Sequence, residues 1–154
     1  MFHLFFRVED VDVSTLTDID VVTPALDGTI LPGVTRDSCL SLIRAHSDPS
    51  NPFTIPGLST ITRIRTVERT ITMSEVEKWA KEERLLEAFC VGTAVTVASV
   101  SKIGLGGLSQ DAEKRDLVFP EREIRGSIAN GLLEALRAIQ TGRAQFEDWC
   151  LPCA

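Results

Sequence analysis

Residues 24–38, PALDGTILPGVTRDS, decide how this chain is read. Their order is an extended lead-in, a tight turn at Pro32-Gly33 and the opening of a helix. Gly33 can take backbone conformations closed to other residues. The N–H groups of Val34 and Thr35 would then stand at the positive end of the helix, and the Thr35 hydroxyl adds a donor. A phosphate is a natural ligand for such a cup. The plainer alternative is an ordinary helix start after a turn, and spacing alone favours it. A second candidate is Gly92-Thr93-Ala94, where small residues let a ligand approach free N–H groups that suit a carboxylate or phosphate oxygen. Its plainer alternative is a glycine bend entering a core strand. No lysine stands near residues 24–38.

Working outward, residues 2–8 and 19–23 read as strands joined by a polar connection. Residues 37–46 read as a helix with Leu40 and Ile43 inward, capped by Thr35 or its neighbours. Residues 47–59, SDPSNPFTIPGLS, read as a surface loop tolerant of insertion. The β-branched run 60–69 reads as extended. Thr72-Met73-Ser74-Glu75 is a capping box, and the helix it opens is expected to reach about Phe89, with Val76, Trp79, Ala80 and Leu86 on one face. Residues 93–100, TAVTVASV, give the strongest strand pattern. Residues 104–120 read as a loop. Residues 127–141 read as a helix striped by Ile128, Leu132, Leu136 and Ile139. Gly142 suits the position after its end, and Gly131 inside it costs about 1 kcal/mol relative to alanine. The fold class is therefore α/β (α+β): a mixed sheet with flanking helices, in one domain over residues 1–154.

The chain has 154 residues, enough to bury a core, with 44% hydrophobic and 25% charged residues. Its net charge of −6 and lack of a basic run argue against tracking a nucleic-acid backbone. No apolar stretch approaches the length of a membrane span, and the opening MFHLFFRVED lacks the basic lead and small-residue cleavage site of a signal peptide. Four cysteines are present. Cys39 and Cys90 sit in apolar segments and read as buried, reduced thiols. Cys150 and Cys153 have redox spacing without a strand-to-helix setting. With only His3 and His46 as histidines, no zinc ligand set is expected.

Four runs occur in one order: LDGTILPGVTRDS, ERTITM from Glu68, LLEAF..GTA from Leu85 and IQTGR from Ile139. Together they resemble the branched-chain amino-acid aminotransferases of class IV, the fold-type IV pyridoxal-phosphate enzymes, along nearly the whole chain. The resemblance implies the C-terminal, large-domain portion of such an enzyme. It implies amino transfer between leucine, isoleucine or valine and 2-oxoglutarate, in a homodimer, with pyridoxal 5'-phosphate. Carried over residue by residue, Val34, Thr35 and Thr93 contact the coenzyme phosphate, and Thr93 and Ala94 meet the substrate carboxylate. Both anion candidates thereby gain a ligand.

The family also holds its coenzyme on a lysine and keeps the ring nitrogen protonated with a glutamate. Both counterparts precede the region matched here, as does the small N-terminal domain, and Met1 aligns with the methionine of a family run GTMN. Lys78, Lys81, Lys102 and Lys114 occupy no family lysine position, and exposed lysines stay protonated near neutral pH. Cys90 and Val91 replace the glycine and hydroxyl residue common in relatives, and Glu83 replaces a glycine. The expectation is a truncated portion, inactive alone, with no catalytic residue of its own. The alternatives are a non-catalytic remnant that binds the coenzyme or dimerises, and a decayed piece that folds poorly. Nucleic acid, membrane and metal are not expected. The compartment is intracellular, cytoplasmic or mitochondrial.

Overall fold

The structure is a computed structural model and describes residues 3–9, 18–50, 53–105, 115–119 and 127–149. The elements run β1 (His3–Glu9), β2 (Asp18–Thr23), α1 (Val34–Ser47), β3 (Arg63–Glu68), α2 (Met73–Lys81), β4 (Leu85–Gly92), β5 (Thr96–Ser99), β6 (Lys102–Leu105), β7 (Arg115–Val118) and α3 (Ile128–Gln140). Five strands form one sheet in the order β3-β2-β1-β4-β5, and β6 pairs β7 separately. The large sheet is mixed. β2 and β3 run parallel, joined through α1, while β1–β2, β1–β4 and β4–β5 are antiparallel.

The period of two along the strands sorts side chains onto two faces. Phe5, Ile19, Val21, Ile64, Phe89, Val91 and Val97 pack with α1 and α3 on one face. Phe6, Val8, Val22 and Ala88 pack with Val76 and Trp79 of α2, and with Phe119, on the other. The central register sets Phe5 opposite Phe89, with stacked rings 5.1 Å apart. Covering both faces explains why β1 and β4 carry long apolar runs rather than strict alternation. The expected mixed sheet with flanking helices is what the chain forms.

Several local expectations change. The helix after the capping box stops at Lys81. Glu83 turns the chain at φ 56°, and Leu85–Gly92 becomes β4, paired along its length with β1. Apolar residues in LLEAFCV fit either period, and pairing with β1 decides the outcome. Thr72 does cap α2, its side chain accepting from Glu75 N–H. Thr93, Ala94 and Val95 form the turn between β4 and β5, so the TAVTVASV strand is confined to Thr96–Ser99. The expected loop 104–120 contributes Gly104 and Leu105 to β6 and Arg115–Val118 to β7. Of the expected loop, residues 53–59 are anchored, because Ile55 is fully buried in the core beneath α3. Gly142 takes φ 70° after α3, as expected. The connection at 10–17, Lys114, Cys150 and Cys153 lie outside the described residues.

Candidate anion-binding site

One end of the sheet gathers both sequence candidates. The start of β1, the ends of β2, β3 and β4, and the start of β5 all lie there, because His3 pairs with Val91 and Thr23 with Glu68. Thr23 Oγ1 donates to Leu4 carbonyl at 2.7 Å across that end. The chain leaves β2 here, passes through residues 24–33 and enters α1 directly over β1.

α1 begins at Val34, three residues earlier than expected, and its N-cap is Gly33. Thr35 therefore lies inside the first turn and does not cap it. Gly33 adopts φ −84°, a conformation open to any residue. Space favours glycine there instead. A Cβ there would stand 2.8 Å from His3 Nε2. The true turn lies earlier, where Gly28 takes φ 90° and the Asp27 carboxylate accepts from both the backbone N–H and the hydroxyl of Thr29.

The consequence is an uncapped helix start. No side chain caps α1, and the first intrahelical bond runs from Asp37 N–H to Gly33 carbonyl. The N–H groups of Val34, Thr35 and Arg36 precede it and have no partner within the helix. Val34 is 82% exposed. Beside this turn is a hollow of about 240 Å³ lined by Leu26, Pro32, Gly33, Val34, Arg36 and Asp37. The other two helices are closed: Thr72 caps α2, and α3 receives the Ser127 hydroxyl and the carboxylate of Glu87. The α3 start shows what an anion does at a helix N-terminus in this fold. The α1 start offers the same groups to solvent.

Thr93 and Ala94 are exposed at the β4–β5 turn, two and three residues beyond Val91, the partner of His3. Val34 and Thr35 reach the same end through Gly33, which rests on His3. The four predicted site residues thus share one end of the sheet. Among the described residues no lysine joins them. Lys78, Lys81 and Lys102 are solvent-facing and paired with Glu82, Glu77 and Asp116.

No protein-family model matches the chain. Its sequence is 35% identical over 130 residues to the cytosolic branched-chain-amino-acid aminotransferase of Saccharomyces cerevisiae, covering 84% of this chain and 30% of that protein. It is 32% identical over 133 residues to the mitochondrial enzyme of Schizosaccharomyces pombe, covering 86% and 27%. It is 34% identical over 133 residues to the cytosolic enzyme of Caenorhabditis elegans, covering 86% and 28%. This stretch belongs with the branched-chain aminotransferases, as a C-terminal portion. The chain spans about 30% of the length of the curated relatives it matches. Among the described residues, no helix is long and apolar enough to cross a membrane.

Within this aminotransferase portion, sequence reasoning gave no role to four residues: Arg36, Glu68 and His3 beneath the site, and Glu87 at the start of α3. Arg36 is buried and donates from Nη2 to Pro24 carbonyl and to Glu68 Oε2, both at 2.8 Å. Glu68 also accepts from Arg44 at 2.7 Å. Burial alone would raise the Glu68 carboxyl, but the hydrogen bonds and charges of Arg36 and Arg44 outweigh it and hold the group below its usual range. Glu87 is the anion at α3. The available signal was a charge inside an otherwise apolar run, which demands a partner. Cys39 is inert: burial pushes its thiol up to about 12, so no thiolate forms near neutral pH.

His3 is the fourth. Burial, then the charge of Arg36, lowers its pKa below the ordinary 6.5. The unfolded chain therefore takes up this proton at higher pH than the folded one. Stability from neutral His3 is complete above about pH 6.5 and is lost as pH falls through the lower folded value. His3→Gln should flatten that fall. Melting temperatures of both proteins at about pH 7.5 and about pH 5.5 measure it, and equal drops would refute the assignment.

Proposed function

We propose that this stretch supplies the phosphate- and carboxylate-holding side of a branched-chain aminotransferase site. The parent reaction moves the amino group of leucine, isoleucine or valine to 2-oxoglutarate, in a homodimer, in the cytosol or a mitochondrion. The observation carrying the reading is the uncapped start of α1 beside a hollow, at the sheet end that also holds the exposed Thr93-Ala94 turn. Pyridoxal 5'-phosphate fits there, because a phosphate accepts from several orphan N–H groups at once and its charge suits the helix dipole. When bound, the coenzyme acts as the electron sink for the bonds at the amino-acid Cα.

The chain's own contribution is binding and orientation. Val34 and Thr35 N–H groups, with the Thr35 hydroxyl, hold the phosphate. Thr93 reaches that phosphate from the turn. The N–H groups at Thr93-Ala94 take the substrate carboxylate and fix which face of Cα is presented. The three described lysines do not serve to move the proton, since each is surface-paired. That pairing favours a second reading, a coenzyme-binding portion without turnover of its own.

Titration calorimetry with pyridoxamine 5'-phosphate tests the site, because this amine form cannot condense with surface lysines. Saturable binding, displaced by inorganic phosphate and weakened about tenfold in Thr35→Ala by loss of one hydrogen bond to a charged group, is expected. Absence of saturable binding overturns the reading. Leucine-dependent formation of glutamate by the chain alone, above a heat-killed control, would overturn the division of labour.

A further inference from the structure

We infer that Arg36, held by Glu68, is a positioning residue for the anion at the start of α1; this rests on the coenzyme reading above. The Arg36 side chain is 4% exposed, yet it lies in the first turn of the helix and lines the hollow beside Gly33 and Val34. Its Nη2 joins two separate elements: Pro24, where the chain leaves β2, and Glu68, the last residue of β3. These bonds fix the first turn against the sheet and thereby fix where the Val34 and Thr35 N–H groups point.

Charge supports the same role. Glu68 is shared between Arg36 and Arg44, so one carboxylate faces two guanidiniums. His3, also beneath the turn, has its pKa lowered by burial and by the charge of Arg36. Asp37 is the acidic residue lining the hollow, and it is exposed to solvent. Arg36 is therefore the buried cation at this helix start, and its Nε–H has no acceptor. A buried charged donor without an acceptor is destabilising, and an anion in the hollow relieves this. The pair also joins two of the four sequence runs, PGVTRDS and ERTITM, which are 32 residues apart at this contact.

The test compares Arg36→Gln, Arg36→Lys and Arg44→Gln with the unaltered chain. Calorimetry reads affinity for inorganic phosphate and pyridoxamine 5'-phosphate, and phosphorus NMR follows the ionisation of the bound phosphate with pH. Arg36→Gln should bind both probes about tenfold more weakly, and its bound phosphate should titrate at higher pH. Arg36→Lys keeps the charge but not the planar fork, so the ionisation should return while affinity stays reduced. Arg44→Gln removes the other partner of Glu68 and should leave both readouts unchanged. If Arg36→Gln does not fold, Arg36→Lys carries the comparison, with reduced affinity the supporting result. Undiminished binding in the Arg36 variants, or equal losses in Arg44→Gln, overturns the inference alone. Failure of the unaltered chain to bind either probe overturns the coenzyme reading and this inference with it.

Discussion

Glu87→Ala is expected to lower the melting temperature by about 12 °C, from a loss of about 4 kcal/mol. Glu87 sits mid-strand in β4 with its carboxylate 3% exposed, a position where an unpaired anion would not be tolerated. It accepts from the Ser127 hydroxyl at 2.6 Å and from Ile128 and Ala129 N–H at 3.0 Å each. The Ser127 oxygen in turn accepts from Asn130 N–H at 3.2 Å. The first three donors of α3 are therefore satisfied by one carboxylate and one hydroxyl, and the helix dipole adds to the attraction. Alanine strands the Ile128 and Ala129 N–H groups and the Ser127 hydroxyl proton in a buried site, and leaves Arg7, 3.9 Å away, without this counter-charge. Glu87→Gln keeps the shape and should lose about half as much, because the amide turns one acceptor into a donor facing donors. Thermal melting of both variants decides it. A shift within about 2 °C for alanine would show that the α3 start is held by packing alone.

Gly131→Ala is the second large effect, and its sign is opposite to helix propensity. In an open helix this change stabilises by about 1 kcal/mol. Here the added Cβ would stand 2.5 Å from both Ile55 Cγ2 and the Pro56 carbonyl oxygen. Ile55 is fully buried, and a backbone carbonyl cannot rotate aside as a flexible side chain can. The segment around Pro56 must move away from α3 or the helix must lift from the sheet. A loss of about 3 kcal/mol is expected, in line with overpacked cores. Chemical denaturation of Gly131→Ala beside the exposed change Glu134→Ala measures it. A gain in Gly131→Ala would show that residues 53–59 yield freely, contrary to the buried anchor at Ile55.

Both results concern residues whose importance local sequence disguised. Gly131 reads as a mild defect in a striped helix until the 53–59 segment is seen against it. Glu87 reads as one polar residue in a helix that was expected to run to Phe89. The error has a physical origin, since LLEAFCV satisfies a buried strand and a helix alike, and only pairing with β1 distinguishes them. The α3 stripe and the capping box at Thr72 were legible, because each depends on contacts within one or two turns. The short pair β6–β7 was not, because its strands carry little apolar pattern and are stabilised by each other.

The candidate site divides in the same way. Spacing offered Val34, Thr35, Thr93 and Ala94 as anion candidates but favoured a plain helix start and a plain strand bend, and only the resemblance gave them a ligand. Sequence reasoning misjudged Gly33, taking a conformational role for what is a steric one against His3. It could not find Arg36 or Glu68, since a buried arginine looks like any surface arginine until its partners are known.

The amino-acid sequence by itself determined the α3 stripe, the cap of α2 and the residue types able to greet an anion, all of which are short-range properties of the chain. Only the tertiary structure decided that both greeting points share one end of the sheet, that Glu87 closes α3 while α1 stays open, and that Arg36 underlies the opening. Those outcomes depend on strand order and register, which bring together residues tens of positions apart and are set by how two apolar faces can both be covered.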